Sequence, residues 1–276
     1  MNTLKLCFSP CPNDTFMFDA MAHHKIDTEG LSFEPHIADV EALNHQAIEQ
    51  DVAITKLSCH AFACLATRYR LLPSGSALGK GNGPLLVSKS KMTPADLKNC
   101  PVAIPGKYTT AALLLKIAYP QLNELKEYLF SDIETALLQE KITAGVLIHE
   151  GRFTYSDKGL HLIDDLGKNW ESRTGQAIPL GGIAVSRQLD QSLQEKIARV
   201  LRRSIEFAFK YPRESTEFSA LYAQEMDAAV MAKHIALYVN NYSIDLGNDG
   251  RNAIRFFLKE AVKIGAVHTV PDDIFV

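Results

Sequence analysis

A short apolar strand that runs straight into a polar loop and then a helix occurs twice in the chain, and this repeat constrains the fold more than any other feature. In the first copy DVAIT continues into KLS and CHAFACLATRY, and in the second VAIP continues into GKYTT and AALLLKIAY. Short apolar strands that alternate with helical segments are typical of α/β folds. A helix that starts at such a loop directs backbone N–H groups and the positive end of its dipole outward. The repeat therefore predicts two lobes, each with one loop suited to a small anion.

Two segments mark where the chain is expected to cross between these lobes. They are the glycine-rich stretch PSGSALGKGNGPLLVSKS and the strand-like run IPLGGIAVSR. A chain of 276 residues is long enough for two domains. We therefore predict a discontinuous larger lobe formed by residues 1–89 and 183–276, and a smaller lobe formed by residues 90–182. Each lobe is expected to hold a mixed sheet flanked by helices, with a ligand cleft between the lobes.

Some local elements are predicted within this layout. Asp39 can cap a helix, and Thr93 followed by Pro94 is expected to start a short one. Apolar residues at helical spacing between Leu193 and Ala208 predict a helix whose stripe packs on the first lobe. The stretch GRFTYSDKGLHLIDDLGKNWESRTGQ is expected to be irregular.

Charge and hydrophobicity exclude several classes of partner. The formal net charge is -3, and the 29 lysines and arginines are scattered rather than gathered into a stripe for a phosphate backbone, so nucleic acid is not expected. No apolar run approaches the ~20 residues that span a bilayer, and no basic stretch precedes an apolar export segment, so membrane insertion is not expected. Five cysteines are an odd number, which argues against a disulfide framework. We expect a cytoplasmic protein with reduced thiols.

The stretch SPCPNDTF places two prolines and an Asn-Asp pair directly after the apolar run LKLCF. Pro10 and Pro12 fix the backbone after the first strand, and Asn13 or Asp14 can cap a helix that begins at Thr15. A helix N-cap needs only one residue, however, whereas this stretch contains eight. The alternative is a third strand–loop–helix element that lines the same cleft.

Metal and cofactor motifs are incomplete. No set of cysteines and histidines has the spacing of a zinc site. The segment GKGNG lacks the ending and the preceding strand of a phosphate-binding loop. Cys59 and His60 are adjacent, and a helix would separate their side chains, which weakens a thiol-protease interpretation. We therefore expect neither a metal nor a cofactor.

Six separated motifs identify a resemblance that runs from about Leu4 to the C-terminal IFV. They are SPCPNDTFMFDAM, ITKLS, SALGKGNGPLLVS, AIPGKYTTAALLL, GVLIHEGRFTY and YVNNYSIDLG. Together they resemble the 1,4-dihydroxy-6-naphthoate synthases of the futalosine route to menaquinone. The resemblance implies a type II periplasmic-binding-protein fold without export, and a lyase without a cofactor. It also implies that the substrate is cyclic dehypoxanthinyl futalosine, an aromatic carboxylate that carries a sugar-derived ring.

His149 is the residue to which the resemblance assigns proton abstraction. It follows the strand AGVLI, at the end where ligands bind in open α/β sheets. The unperturbed pKa of histidine, ~6.5, leaves the neutral base dominant near neutral pH. From local physics alone, the alternative is a structural histidine that forms its hydrogen bonds within the protein. The neighbouring Glu150 is expected to point to the opposite face and to be structural.

The resemblance also implies which residues contact the substrate: Lys56, Leu57 and Ser58 in the first loop, and Thr109, Thr110 and Ala111 in the second. Asn13 and Asp14 are further candidates, for sugar hydroxyls. Lysine and serine side chains could hold the carboxylate, leucine could pack on the ring, and the threonine hydroxyls could hold polar oxygens. Without the resemblance, Lys56 could be a solvated surface lysine, and Thr109 and Thr110 could simply cap a helix.

Two other functions fit the same predicted fold, because fold does not fix function. One is a non-exported solute-binding protein for a small aromatic carboxylate, which would not need a base at position 149. The other is the chorismate dehydratase of the same pathway, from which the segment GVLIHEGRF points away. A homodimer is compatible with the sequence, which does not fix the oligomeric state.

Overall fold

The computed structural model describes residues 3–149, 151–223 and 227–276. The chain forms two compact units, of which the first comprises Met1–Gly79 and Pro179–Val276 and the second comprises Lys80–Ile178. Residues 80–89, which were predicted in the larger lobe, lie in the second unit because Leu85–Ser88 pairs with strands of its sheet. Residues 179–182, which were predicted in the smaller lobe, lie in the first unit because Gly181 and Gly182 pair with Ser58 and Leu57. Within the described residues, no helix is both long and apolar enough to cross a membrane.

Eleven strands are described. In chain order they are β1 (Thr3–Phe8), β2 (Ser32–Ile37), β3 (Ile54–Ser58), β4 (Tyr69–Leu71), β5 (Ala77–Gly79), β6 (Leu85–Ser88), β7 (Val102–Ile104), β8 (Leu125–Glu127), β9 (Ala144–Leu147), β10 (His161–Asp165) and β11 (Ile178–Ser186).

Twelve α-helices are described, and a short 3-10 helix covers Pro94–Leu97. The helices are α1 (Pro12–Ala22), α2 (Val40–Glu49), α3 (Cys59–Leu65), α4 (Thr110–Ala118), α5 (Phe130–Leu138), α6 (Gly151–Thr154), α7 (Leu166–Thr174), α8 (Gln191–Lys210), α9 (Pro212–Ala220), α10 (Ala228–Tyr238), α11 (Asn241–Ile244) and α12 (Gly247–Lys263).

The first unit is built on a six-stranded mixed sheet. Its strand order is β2-β1-β3-β11-β4, and β5 also pairs with β11. Strands β1, β2 and β3 are parallel to one another, whereas β11 runs antiparallel to β3 and β4. The apolar stripe expected on α8 is confirmed, since Ile197, Val200, Leu201, Ile205 and Ala208 are all buried. That stripe shares a hydrophobic core with α1 and β1.

The second unit is built on a five-stranded mixed sheet of order β10-β6-β9-β7-β8. Strand β7 is parallel to β8 and β9, and β6 is antiparallel to β9 and β10. Its core joins Leu85 and Val87 of β6 to Ile133 and Leu137 of α5. Two mixed sheets flanked by helices confirm the predicted α/β class.

Two local expectations need correction. Helix α1 begins at Pro12 rather than at Thr15, because proline suits the first helical position, so neither Asn13 nor Asp14 is its N-cap. The region after residue 151 was expected to be irregular but contains α6, β10 and α7. Strand β10 is stabilised by pairing with β6, and the Asp165 carboxylate caps α7 by accepting from Gly167 and Lys168 N–H groups.

Candidate active site

Two of the predicted loops leave the sheet of the first unit at the same edge. Strands β1 and β3 are parallel neighbours, with Leu6 opposite Ile54 and Cys7 opposite Thr55. Parallel strands end at one edge of a sheet, which is where open α/β sheets bind ligands. The loop from Ser9 to α1 and the end of β3 are therefore brought together, as the direct contacts between them show.

The Asp14 carboxylate is the centre of a buried polar network at this edge. Its Oδ1 lies 2.6 Å from Lys56 Nζ and accepts from Asn13 Nδ2 at 2.8 Å. Its Oδ2 accepts from Ser9 Oγ at 2.6 Å and from the Ser9 N–H group at 3.2 Å. Asp14 is fully buried and Lys56 nearly so. The charge of Lys56 is thus already paired, which changes the sequence-based expectation that this lysine faces a substrate carboxylate alone.

The side-chain amide of Asn13 has a protein partner at both its nitrogen and its oxygen. Its Nδ2 donates to Asp14, and its Oδ1 lies 3.0 Å from Nε2 of the buried His234 on α10. An amide that donates to a carboxylate must turn its oxygen the other way, so His234 Nε2 is the donor in this pair. Asn13 therefore acts mainly within the protein, which leaves it little capacity for the sugar hydroxyl that the sequence analysis assigned to it.

Ser58 is fixed by a two-point contact with Asn44 of α2. Asn44 Nδ2 donates to Ser58 Oγ, and the Ser58 N–H group donates to Asn44 Oδ1, both at 3.1 Å. Glu41 Oε2 accepts from the same amide nitrogen at 2.7 Å and so fixes the orientation of Asn44. In contrast, strand alternation turns the Leu57 side chain to the opposite face from Lys56 and Ser58, where it is fully buried. This packing argues against the expected contact of the Leu57 side chain with a substrate ring.

Cys59 follows Ser58 directly but is not set up as a nucleophile. It is buried at the start of α3, and this burial raises the pKa of its thiol to about 12. The thiolate is the reactive form of cysteine, and it is scarce at neutral pH under these conditions. The Cys59-His60 pair therefore does not support thiol chemistry.

The second predicted loop starts α4 in the second unit. Thr109 is the N-cap, since its hydroxyl accepts from the Ala112 N–H group at 3.2 Å and donates to the Gly106 carbonyl at 2.7 Å. Thr110 and Ala111 follow as the first residues of the helix, and both are buried. Backbone N–H groups in a first helical turn lie at the positive end of the dipole. The structure thus gives Thr109 a capping role and leaves Thr110 and Ala111 as candidates for anion binding.

His149 lies two residues beyond β9, in a left-handed backbone conformation with φ of 56°. Such a conformation is uncommon for a residue with a side chain and tends to mark functional sites. The residue is partly exposed, and its ring packs edge to face with that of Phe130 at a centroid distance of 4.9 Å. Because β7 and β9 are parallel neighbours, His149 and the start of α4 follow strands that end at one edge of the sheet. Glu150 lies outside the described residues.

Arg152 anchors the turn that carries His149. Its Nη1 donates to the Gly83 carbonyl at 2.6 Å, and its Nη2 contacts Asp165 Oδ2 at 2.8 Å. The Arg152 N–H group also lies 3.4 Å from the His149 carbonyl. A guanidinium that bridges two fixed acceptors restrains the segment far better than a single bond would. Arg152 therefore restrains the segment next to His149, a contact that the sequence analysis did not predict.

Sequence reasoning also missed Asn44 and His234. Each is buried and contacts a predicted site residue, at a separation of 14 residues for Asn44 and 221 for His234. Neither lies in a motif with a local chemical meaning. A buried polar side chain at a helical position is the one signal that could have drawn attention to them, because such groups need partners.

Comparison with known proteins identifies relatives over the whole chain. A family described as "Menaquinone biosynthesis" matches residues 4–263. A protein of Thermus thermophilus named 1,4-dihydroxy-6-naphthoate synthase is 40% identical over 276 residues, which cover 100% of both chains. A solved structure from Archaeoglobus fulgidus is 37% identical with a TM-score of 0.90, covering 96% of this chain and 98% of that one.

A more distant solved structure defines the fold. A Candida albicans protein described as having the generic periplasmic-binding-protein fold has a TM-score of 0.71 at 16% identity, covering 99% of this chain and 94% of that one. This likeness confirms the predicted periplasmic-binding-protein-like fold.

Proposed function

Since the chain belongs to the menaquinone biosynthesis family and is similar along its whole length to a 1,4-dihydroxy-6-naphthoate synthase, we propose that it converts cyclic dehypoxanthinyl futalosine to 1,4-dihydroxy-6-naphthoate. The reaction is a carbon-carbon bond cleavage that releases a fragment of the sugar-derived ring. We propose that the reaction takes place in the cytoplasm.

His149 is the general base in this proposal. Its neutral imidazole removes a proton from the non-aromatic ring of the substrate, which starts bond cleavage. Formation of the second aromatic ring then drives the reaction forward. The observation that carries this assignment is the left-handed backbone of a partly exposed histidine just beyond β9, restrained by Phe130 and by the Arg152 turn. A strained residue held by its surroundings is typical of a catalytic position.

The anion loops supply binding in the same proposal. The Ser58 hydroxyl, oriented by Asn44, and the first turn of α4 at Thr110 and Ala111 are the groups assigned to the substrate carboxylate and its neighbouring oxygens. Lys56 contributes as half of an ion pair with Asp14 rather than as an isolated charge. A net neutral pair can still donate its remaining ammonium hydrogens to a ligand oxygen.

Substitution of His149 by asparagine tests the proposed base. Asparagine keeps the size and polarity of the side chain but has no usable basicity near neutral pH. The loss of a positioned general base typically lowers kcat by ~10² to 10⁴, and substrate affinity should change little. Product formation is followed by the fluorescence of dihydroxynaphthoate, and binding by the thermal shift that the substrate induces.

His161→Asn is the matched control. His161 is also a partly exposed histidine of the second unit, but it opens β10 opposite Ser88, at the other end of β6 from Leu85. This variant should keep kcat within a factor of about two of the wild type. A His149→Asn protein with near-normal kcat and a raised KM would show that the histidine binds substrate and is not the base. A wild-type protein that binds the substrate without turnover would favour a solute-binding function.

A further inference from the structure

Asn82, in the glycine-rich segment before β6, is a buried amide that the protein does not satisfy. Its exposed fraction is 1%, and neither Oδ1 nor Nδ2 has a hydrogen-bond partner among the described residues. Buried polar side chains in native proteins almost always have partners, and an unsatisfied amide destabilises the fold. The Asn82 amide is therefore expected to have a hydrogen-bond partner that is not part of the protein chain.

The strand register places the segment that contains Asn82 near the end of β9, which precedes His149. Strand β6 is antiparallel to β9, with Leu85 opposite Leu147. Gly83 lies two residues before β6, and Asn82 directly precedes it. The bond from Arg152 to the Gly83 carbonyl ties the two segments together directly. Asn82 thus adjoins the proposed catalytic turn.

The backbone around Asn82 is restrained by contacts of both neighbouring glycines. The Gly81 N–H group donates to Glu171 Oε1 at 2.7 Å. Gly83 packs so closely on Gly167 that a Cβ atom at position 83 would lie 2.3 Å from the Gly167 Cα. The backbone on both sides of Asn82 is therefore restrained.

We infer that Asn82 binds a hydroxyl group on the sugar-derived ring of the substrate, an assignment that rests on the proposed function. A carboxamide offers both N–H donors and a carbonyl acceptor. A hydroxyl satisfies both, because it accepts from Nδ2 and donates to Oδ1. A carboxylate only accepts and would leave Oδ1 buried and unpaired. The chemistry therefore selects a hydroxylated ring rather than the substrate's acid group, and it places that ring next to His149.

Asn82→Leu gives this inference a distinctive signature, because leucine is close to asparagine in shape and has no polar atoms. The melting temperature of the unliganded variant should rise, since the unsatisfied amide is removed. The KM for cyclic dehypoxanthinyl futalosine should rise on the order of 10-fold, since a buried hydroxyl would lose its partner. A structural residue would not show both effects.

Asn240→Leu is the control for an amide that is already satisfied. Asn240 Nδ2 donates to the Leu78 carbonyl and its Oδ1 accepts from the Tyr242 N–H group, each at 2.9 Å. This variant should have a lower melting temperature and an unchanged KM. Asn82→Asp, which cannot donate, should also raise KM and serves if the leucine variant fails to fold.

Two results would overturn the inference. A lower melting temperature with unchanged KM would make Asn82 a structural residue of the turn, and no change in either quantity would mean that water satisfies the amide. Binding is measured separately as the thermal shift that the substrate induces in His149→Asn with and without Asn82→Leu. That comparison needs no turnover, so a failure of the proposed reaction and a failure of the Asn82 assignment are distinguished.

Discussion

Breaking the buried Asp14–Lys56 ion pair should destabilise the first unit by several kcal/mol. Asp14 is fully buried, and the Lys56 side chain is only 7% exposed, so solvent screens neither charge. Removing one partner of such a pair typically costs about 3 to 5 kcal/mol. Asp14→Asn should lie near the upper value, because Asp14 is the one carboxylate that contacts the Lys56 ammonium in the described part of the chain. Lys56→Met should lie near the lower value, because Asn13 and Ser9 still donate to Asp14.

The double variant Asp14→Asn/Lys56→Met isolates the interaction free energy of the two side chains from their contacts with other residues. It leaves neither charge unpaired, so its loss of stability should be smaller than the sum of the two single losses by about 2 to 3 kcal/mol. Urea unfolding of all four proteins at pH 7, followed by far-UV circular dichroism, gives the four free energies of unfolding. If the single losses are simply additive, the two side chains do not stabilise each other, and the account of this network is wrong.

Three further outcomes are expected. Arg152→Gln should lower kcat by about 10-fold with little change in KM, because Arg152 restrains the segment next to His149. Arg68→Gln also loses a contact with a carbonyl and one with an aspartate, but it should leave kcat unchanged. Equal kcat values in the two variants would contradict a positioning role for Arg152. Hydrogen bonds from two arginines of α8 lower the pKa of Glu29 from 4.5 to about 2, so the stability that Glu29 contributes is complete above pH 4.5 and is lost as the pH falls toward 2. The urea midpoints of the wild type and Glu29→Gln should therefore converge over that range, and a constant difference would refute the assignment. Iodoacetamide should modify the exposed Cys64 and spare the buried Cys59 in the folded protein, as judged by peptide mass spectrometry; modification of Cys59 would contradict its raised pKa.

Local patterns were sufficient to predict those elements whose signals lie within a few residues. Asp39 caps α2 as expected, by accepting from the Glu41 and Ala42 N–H groups, and Pro94 opens a short helix after Thr93. Helix α7 was missed because its sequence, LGKNWESRT, has no extended apolar stripe. Its start depends on an aspartate cap and its end on Gly175 in a left-handed conformation, and neither signal stands out beside the irregular residues around it.

The loops that form the candidate site could be predicted from the sequence, but the side-chain contacts within the site could not. The strand–loop–helix repeat indicated the segments around Ser58 and Thr110. It could not indicate that Lys56 would be paired with Asp14, 42 residues earlier, or that a histidine of α10 would hold Asn13. Such pairings depend on which strands become neighbours in the sheet and on how distant helices pack, and a single sequence does not contain that information in local form.

The placement of β11 has a consequence for how the protein emerges from the ribosome. This strand lies between β3 and β4 in the sheet, yet it is synthesised more than a hundred residues after them. While all of Lys80–Ile178 is translated, one edge of β3 is therefore unpaired, and β4 and β5 lack the strand that joins them to the sheet. That insert is continuous in sequence and can complete its own sheet first. Until β11 arrives, the exposed edges of β3 and β4 are the places where a growing chain of this topology is most open to pairing with a neighbouring copy.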